Sequence, residues 1–289
     1  MELIDKIYDC RRVATKVKDD VRTVVDSIRR EERRVPILAV IQVGDIGASS
    51  VYVKNKSKAC HDVGVSSIIH KLPFDTTESS LLDLIDRLNN DKYVTGILVQ
   101  LPLPEHINEY VVTTAIDFTK DVDGFHPSNV GLLNLGDPIF KPCTAAGIEY
   151  ILDDMGVDLD GKHVVVIGRS NIVGKPTASI LTARNATVTL CHSRTAFLEE
   201  HIKQADIVVS AVGKAKFLTA DMISPNTIVV DVGMNRDEDG KLCGDVDMDM
   251  EMLTKVKYCT PVPYGVGQMT VAMLMQNVIT AYYYQKEVK

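Results

Sequence analysis

Val164-Val165-Val166-Ile167-Gly168-Arg169-Ser170-Asn171-Ile172-Val173-Gly174 is the stretch that decides the fold. Lys162–Ile167, β-branched from Val164 on, is a buried strand. Gly168 turns it, and a helix opens near Gly174 and runs to Arg184. That is the first βα unit of a dinucleotide-binding fold, in which helix N–H groups cradle a pyrophosphate. The spacing departs from G-x-G-x-x-G, since the second and third glycines are absent. Taken alone, the stretch also fits a glycine turn in an ordinary α/β domain.

The following strand, Thr187–Cys191, sharpens the reading. An NAD site carries an acid about 20 residues on, at the end of the second strand, to bind the ribose 2′-OH. Here that strand ends Cys191-His192-Ser193-Arg194-Thr195, without a carboxylate. A hydroxyl beside a guanidinium, with Arg169 as a second cation, suits a 2′-phosphate. A charge-assisted hydrogen bond is worth ~1.5–3 kcal/mol, roughly 10- to 150-fold in affinity. NADP is therefore favoured over NAD. The competing reading of Arg194 is a solvated surface charge.

Outward from this unit the alternation continues. Strands are expected at Asp206–Ala211 and Thr227–Val232, and a helix at Thr144–Met155 before the turn Asp158-Leu159-Asp160-Gly161. Towards the N-terminus, residues 10–34 place Val13, Val17, Val21, Val24, Val25 and Ile28 at helical spacing. Ile37–Val43, Ser66–Leu72 and Gly96–Leu101 are short strands. Between them lie a helix from about Val51 to Val63, which Ser49 or Ser50 can cap, and a helix at Thr77–Asn90. Strand-then-helix alternation implies parallel sheets covered on both faces. The fold expected is α/β in two domains: an N-terminal α/β catalytic domain and a C-terminal Rossmann-type parallel sheet. The first covers residues 1–145 and is completed by a closing helix at 270–289, whose apolar pattern starts near Thr270. The second covers 146–269.

Composition narrows the function classes. The 289 residues are 45% hydrophobic and 25% charged, as in globular proteins rather than disordered or fibrous ones. The net charge, 32 − 39 = −7, disfavours a nucleic-acid coat. No apolar run approaches the ~18 residues of a membrane span, and Met1–Asp5 does not read as a signal peptide. Cys10, Cys60, Cys143, Cys191, Cys243 and Cys259 are scattered singly, with no C-x-x-C, and read as reduced thiols filling apolar space in the cytoplasm. No H-E-x-x-H or Cys/His cluster points to a metal. Asp121-Val122-Asp123-Gly124 and Asp245-Asp247-Asp249 both fail the calcium-loop spacing. There is no Walker A motif and no G-x-S-x-G.

Four segments carry candidate chemistry. Tyr52 and Lys56 lie four apart and so share a helix face, whereas Lys54 points elsewhere. Such a pair can do acid/base work, or can be an ordinary surface pair. Gln100 is the polar exception in Gly96-Ile97-Leu98-Val99-Gln100-Leu101, at the strand end where α/β ligand sites collect, and can orient Lys56. One of Asp121 and Asp123 can bind a polar ring. Finally, Thr260-Pro261-Val262-Pro263-Tyr264-Gly265-Val266-Gly267-Gln268-Met269-Thr270 reads as a stiff loop leading into a helix.

Together these residues are recognisable. The chain resembles the bifunctional methylenetetrahydrofolate dehydrogenase/methenyltetrahydrofolate cyclohydrolase family over nearly its whole length. The matching segments are 51–56, 96–104, 120–125, 142–144 and 168–174, with Val212-Gly213, Asp231-Val232-Gly233 and Gly244-Asp245-Val246. The resemblance implies two reactions in a cleft between the domains. A hydride passes from 5,10-methylenetetrahydrofolate to NADP, and water then opens the methenyl cation to 10-formyltetrahydrofolate. It implies that Lys56 manages proton transfer, held by Tyr52 and Gln100, and that Asp123 binds the pterin ring. NADP is assigned to Gly168, Arg169, Ser170, Ile172, Gly174, Ser193, Arg194, Val212, Gly213 and Val232. Tetrahydrofolate derivatives are assigned to Tyr52, Asp123, Pro263, Tyr264, Gly265 and Gly267. A cytoplasmic homodimer in one-carbon metabolism, supplying purine biosynthesis, is further implied. The cationic intermediate disfavours a protonated lysine beside it, which leaves an amine able to accept a proton from water. Hydride transfer needs mainly alignment of the two reactants.

Two departures stand out. The family loop usually reads P-V-P-G-G-V-G-P-M-T, whereas here Tyr264 replaces a glycine and Gln268 a proline. The expectation is a more mobile loop with either a different path or a tyrosine lid. Gly44-Asp45-Ile46-Gly47 also replaces a usual G-D-x-P. The alternative functions are a single-activity dehydrogenase with weak cyclohydrolase, a shikimate-type dehydrogenase, and a non-catalytic folate- or nucleotide-binding protein.

Overall fold

The computed structural model of the chain describes residues 3–45 and 49–287, so Ile46 and Gly47 of the departing turn lie outside the described residues. In chain order the main elements are α1 (Arg11–Glu32), β1 (Ile37–Val43), α2 (Ser49–Val63), β2 (Ser66–Leu72), α3 (Glu78–Asn90), β3 (Gly96–Val99), α4 (Glu109–Ala115) and α5 (Pro127–Leu135). Then follow α6 (Cys143–Asp154), β4 (His163–Ile167), α7 (Gly174–Ala183), β5 (Thr187–Cys191), α8 (Leu198–Lys203), β6 (Ile207–Ser210) and β7 (Ile228–Asp231). A short hairpin of β8 (Asn235–Arg236) and β9 (Leu242–Cys243), α9 (Met250–Lys255), β10 (Tyr258–Cys259) and α10 (Val266–Glu287) complete the chain. It divides into two compact units, Thr15–Cys143 with Val271–Lys289, and Met1–Ala14 with Thr144–Thr270.

In the first unit β1 is the middle strand of a parallel sheet ordered β2-β1-β3. Its apolar run is buried because both faces are covered, as parallel sheets require. Leu81, Leu84, Ile85 and Leu88 of α3 pack on one face with Ile41, Ile97 and Val99. Thr77 caps α3, its hydroxyl accepting from Ser80 N at 3.2 Å. Lys120 ties down the other end of that helix: its buried Nζ donates to the carbonyls of Leu88, Asn89 and Asp91 at 3.0, 2.7 and 2.7 Å. A cation on the last carbonyls satisfies both the helix end and the ammonium. The sequence pattern extends β3 to Leu101; the strand ends at Val99, just before the peptide Leu101-Pro102, which is cis.

The second unit is a five-stranded parallel sheet ordered β10-β7-β6-β4-β5. Chain order reverses at β4, whose neighbours β5 and β6 lead to opposite sides. The crevice outside the strand ends at such a reversal is where α/β sheets bind ligands. Residues 7–10 belong to this unit through Ile7, which bridges Cys259, with Tyr8 N donating to Cys259 O at 2.8 Å. The sequence carries no sign of this pairing, since Ile7 alone is too short to read as a strand.

The closing helix starts earlier than its apolar pattern. Val266–Met269, expected in the loop, form the first turn of α10, and Gln268 N donates to Gly265 O at 3.0 Å. A proline is tolerated at this point of a first turn. Gln268 therefore sits in helix rather than in a loosened loop.

Candidate active site

The chemistry of the first unit collects where β1 and β3 end. Tyr52 and Lys56 share the half-buried face of α2, while Val51 and Lys54 are exposed. Lys56 Nζ donates to Gln100 Oε1 at 3.1 Å. The amide cannot turn round, because Gln100 Nε2 donates to Leu101 O at 2.7 Å and leaves only the oxygen for the lysine. Gln100 N in turn donates to Ile41 O at 2.8 Å, which extends the sheet ladder by one residue and fixes the side chain's origin. Burial raises the Tyr52 phenol above its usual range. Its hydroxyl is thus kept protonated.

Asp121 and Asp123 have separate duties. Asp121 is buried, and its Oδ2 accepts from His126 N at 2.7 Å and Asn129 Nδ2 at 2.8 Å, which seats the start of α5. Asp123 is half-buried and its neighbour is Cys143, whose Sγ lies 3.8 Å from Oδ1. Burial pushes the Asp123 carboxyl up, and the charge of Lys56 opposes the rise. An acid in such a place can accept from ring N–H groups of a ligand. Cys143 is buried too, its thiol held well above the ordinary range by burial and by Asp123. It is protonated and packed, as filler.

Sequence reasoning missed Asn277. This buried side chain on α10 donates to Val122 O at 2.8 Å and to Lys141 O at 2.9 Å. It pins the two segments that flank Asp123. Gly96 assists from below, since a Cβ there would collide with Val122 Cγ1. The signal for Asn277 was its place on the apolar face of the helix, three and four residues after Leu274 and Met273, whereas its polar neighbour Gln276 is exposed.

In the second unit the strands end level. Ile167 pairs with Cys191 and with Ser210, and Ser210 with Asp231, so the residues after them form one row. Gly168, at φ 122°, has no room for a Cβ against Ala211 O. Gly174 opens α7 with no room for a Cβ against Gly168 O. It thus supplies the close helix–strand approach that the dinucleotide motif assigns to a glycine, one residue further along the chain. Ser170 Oγ accepts from Val173 N at 3.1 Å and Gly174 N at 3.4 Å, and Ser170 O accepts from Lys175 N. The first amides of α7 are therefore engaged within the turn. Arg169, Ser170 and Ile172 are exposed at its tip, Ile172 by 43%.

Beyond β5, Thr195 Oγ1 accepts from His192 N and His192 Nδ1 from Arg194 N, which folds a tight turn with Ser193 and Arg194 at its exposed apex. Among the described residues neither Arg169 nor Arg194 is paired with a carboxylate. Two unpaired guanidiniums and a hydroxyl at adjacent strand ends can grip a phosphate. Val212, Gly213 and Val232 follow β6 and β7 in the same row.

Tyr264 holds a left-handed backbone, at φ 82°, the geometry that glycine adopts most readily. Its O accepts from Cys10 N at 2.9 Å, and its half-exposed ring lies under the Arg11 guanidinium, 4.3 Å from the centroid. Arg11 is itself anchored by Asp9. The contact recovers part of the ~1–2 kcal/mol that left-handed geometry costs a non-glycine residue. The ring is held by Arg11 rather than swung out as a lid. Gly265 cannot be replaced in the same way, since a Cβ there would strike Pro261 O. Pro263 and Gly267 are exposed beside it.

Comparison with known proteins agrees with this geometry. The tetrahydrofolate dehydrogenase/cyclohydrolase catalytic-domain family matches residues 8–123, and the NAD(P)-binding-domain family of the same name matches residues 142–286. The bifunctional protein FolD of Lachnoclostridium phytofermentans is 52% identical over 273 residues, 94% of this chain and 96% of that one. The Moorella thermoacetica protein of that name is 50% identical over 276 residues, 96% of this chain and 98% of its own. Among solved structures, the bifunctional FolD enzyme of Campylobacter jejuni superposes with TM-score 0.92 at 46% identity, covering 96% of this chain and 98% of that one. The Trypanosoma brucei enzyme, solved with NADP and an inhibitor, has TM-score 0.92 at 36% identity and covers 96% and 97% of the two chains.

Proposed function

The chain belongs to the tetrahydrofolate dehydrogenase/cyclohydrolase family, and from that premise we propose how its own residues divide the two reactions. The protein is a bifunctional enzyme. It oxidises 5,10-methylenetetrahydrofolate to the methenyl form with NADP, and hydrolyses that product to 10-formyltetrahydrofolate. The observation that carries the division of roles is the 3.1 Å hydrogen bond from Lys56 to an amide oxygen that cannot flip.

Lys56 is the base of the hydrolytic step. Water adds to the methenyl carbon as one of its protons passes to the uncharged Nζ; the ring C–N bond then breaks as the leaving nitrogen takes that proton back, and the remaining hydroxyl proton is released to solvent as the formyl C=O forms. The positive charge of the substrate favours the uncharged amine during that step. Gln100 accepts from Nζ and so aims the nitrogen lone pair. Tyr52, held protonated, supplies a donor on the same helix face. Asp123 accepts from pterin N–H groups, and Asn277 keeps its segment in place.

NADP fits the second unit. Gly168 and Gly174 admit a close backbone approach, and Arg169, Ser193 and Arg194 suit the 2′-phosphate. Ser170, Ile172, Val212, Gly213 and Val232 complete that side. When bound, NADP accepts the hydride, and the chain's contribution is alignment rather than proton transfer. Pro263, Tyr264, Gly265 and Gly267 are assigned to the folate.

The enzyme acts as a cytoplasmic homodimer in one-carbon metabolism, its 10-formyl product serving purine biosynthesis. What supports the dimer is β2, an edge strand of seven residues with Ile68 and Ile69 exposed by 41% and 38%. Long apolar edges are rarely left bare. No helix among the described residues is long and apolar enough to cross a membrane.

The test is an assay of purified enzyme with methylenetetrahydrofolate and either NADP or NAD, following methenyl and 10-formyl products separately. NADP should be preferred and both products should form. Accumulation of methenyl without 10-formyl product would leave only a dehydrogenase, and better turnover with NAD would overturn the assignment of Arg169, Ser193 and Arg194.

A further inference from the structure

Asp245 has no part in the roles above, yet it is completely buried beside the cofactor row. Its Oδ2 accepts from Val212 N at 2.7 Å, Gly213 N at 3.3 Å and Ser210 Oγ at 3.3 Å. Its Oδ1 accepts from Lys214 N at 3.0 Å and Asn235 Nδ2 at 2.9 Å. Three consecutive main-chain amides thus converge on one side chain. The turn they belong to leaves β6 at the ligand-binding edge of the sheet, with Gly213 at φ 67°.

A second buried acid holds the first. Asp231, the last residue of β7, accepts from Asp245 N at 2.9 Å and Gly233 N at 2.9 Å through Oδ1, and from Val246 N at 3.0 Å through Oδ2. Each acid faces a glycine across the pair. A Cβ on Gly233 would collide with Asp245 Oδ1, and one on Gly244 with Asp231 Oδ2. This explains the glycines of Asp231-Val232-Gly233 and Gly244-Asp245-Val246, which touch no ligand in the roles assigned so far.

Two buried carboxylates side by side are costly, and apolar residues would fill the space at lower cost. What an apolar filler cannot do is aim the amides of 212–214. Pre-aligned main chain is the feature a ligand-binding turn needs before the ligand arrives. We propose that Asp245 is a positioning residue for NADP: it fixes the turn Val212–Lys214 against which the cofactor binds, without touching the cofactor. The proposal rests on the assignment of Val212 and Gly213 to NADP.

The test is Asp245→Asn, which keeps the shape but turns an NH₂ towards groups that themselves donate. Losing hydrogen bonds to a carboxylate should raise the Kd and KM for NADP by about 10- to 100-fold. Cyclohydrolase turnover of supplied methenyltetrahydrofolate, which consumes no NADP, should stay within about 3-fold of wild type, and saturating NADP should restore most of the dehydrogenase kcat. A purely structural role would instead lower both activities together at unchanged NADP Kd, and that result would overturn the proposal. Asn235→Ala is the gentler variant should the first fail to fold. It removes one of the donors and should raise the NADP Kd about 2- to 5-fold; an unchanged Kd there overturns the proposal as well. A wild-type enzyme without affinity for NADP would sink the cofactor assignment itself, and the proposal with it.

Discussion

The two sheets end in sites of different construction. At the edge of β4–β7 the site is main chain: turns after each strand, glycines where another backbone comes close, and buried acids that hold amides in place. At the ends of β1 and β3 it is side chain. Lys56 comes from a helix, Gln100 from beyond a strand and Asp123 from a loop, and buried Asn277 and Lys120 grip the carbonyls around them. A diphosphate cofactor is recognised by shape and charge, which backbone turns supply. Proton transfer needs particular atoms at bonding distance, which only side chains supply. The first kind of site should therefore lose affinity when damaged, and the second should lose turnover.

The sharpest test of that contrast is Lys56→Met, which keeps bulk and removes the proposed base. Cyclohydrolase turnover should fall about 10²- to 10⁴-fold while NADP binding survives. Normal hydrolysis of methenyltetrahydrofolate by this variant would end the assignment. On the other side, Arg169→Ala should raise the NADP constant by roughly 10- to 150-fold, with little change for NAD and little in cyclohydrolase kcat. Equal losses for NADP and NAD would show that Arg169 does not read the 2′-phosphate.

A third experiment probes the acids beneath the turns proposed to hold NADP. Burial pushes the Asp231 carboxyl up to about 6. The folded chain then holds a proton that the unfolded chain has released between pH ~4 and ~6, so this group's contribution to stability is full below that window and falls as pH rises through it. The loss amounts to about 2–3 kcal/mol. Urea unfolding at pH 4 and pH 6.5 should show a loss of stability larger by that amount in wild type than in Asp231→Asn. Parallel profiles for the two proteins would refute it.

The smallest effect is expected in the loop, where Tyr264→Gly with Gln268→Pro restores the family pattern. Glycine relieves left-handed strain of ~1–2 kcal/mol but gives up the Arg11 contact, and proline is tolerated in the first turn of α10. The folate constant should move about 5-fold or less, and NADP binding hardly at all. A larger folate effect would show that the tyrosine ring, not the backbone, governs that loop.

Much of this was legible in the residues. Apolar β-branched windows marked Ile37–Val43, Ser66–Leu72 and Thr187–Cys191 to the residue, because period and burial are local properties. The pairing of Tyr52 with Lys56 followed from helix geometry alone, and the missing acid after Cys191 favoured NADP on charge alone. The start of α10 at Val266 was not legible, since Gly265 and Gly267 beside it interrupt the helical signal.

The sequence by itself thus determined the alternation of strands and helices, the choice of cofactor and the family. Only the tertiary structure gave Asp121 its place at the start of α5, gave Asn277 and Lys120 their carbonyls, and joined Asp231 to Asp245. The reason is physical. Asn277, Lys120 and Asp245 are satisfied largely by main-chain carbonyls and amides, which every residue carries alike, so the sequence has no mark at the partner's position, and it is the folded path of the backbone that brings the two together.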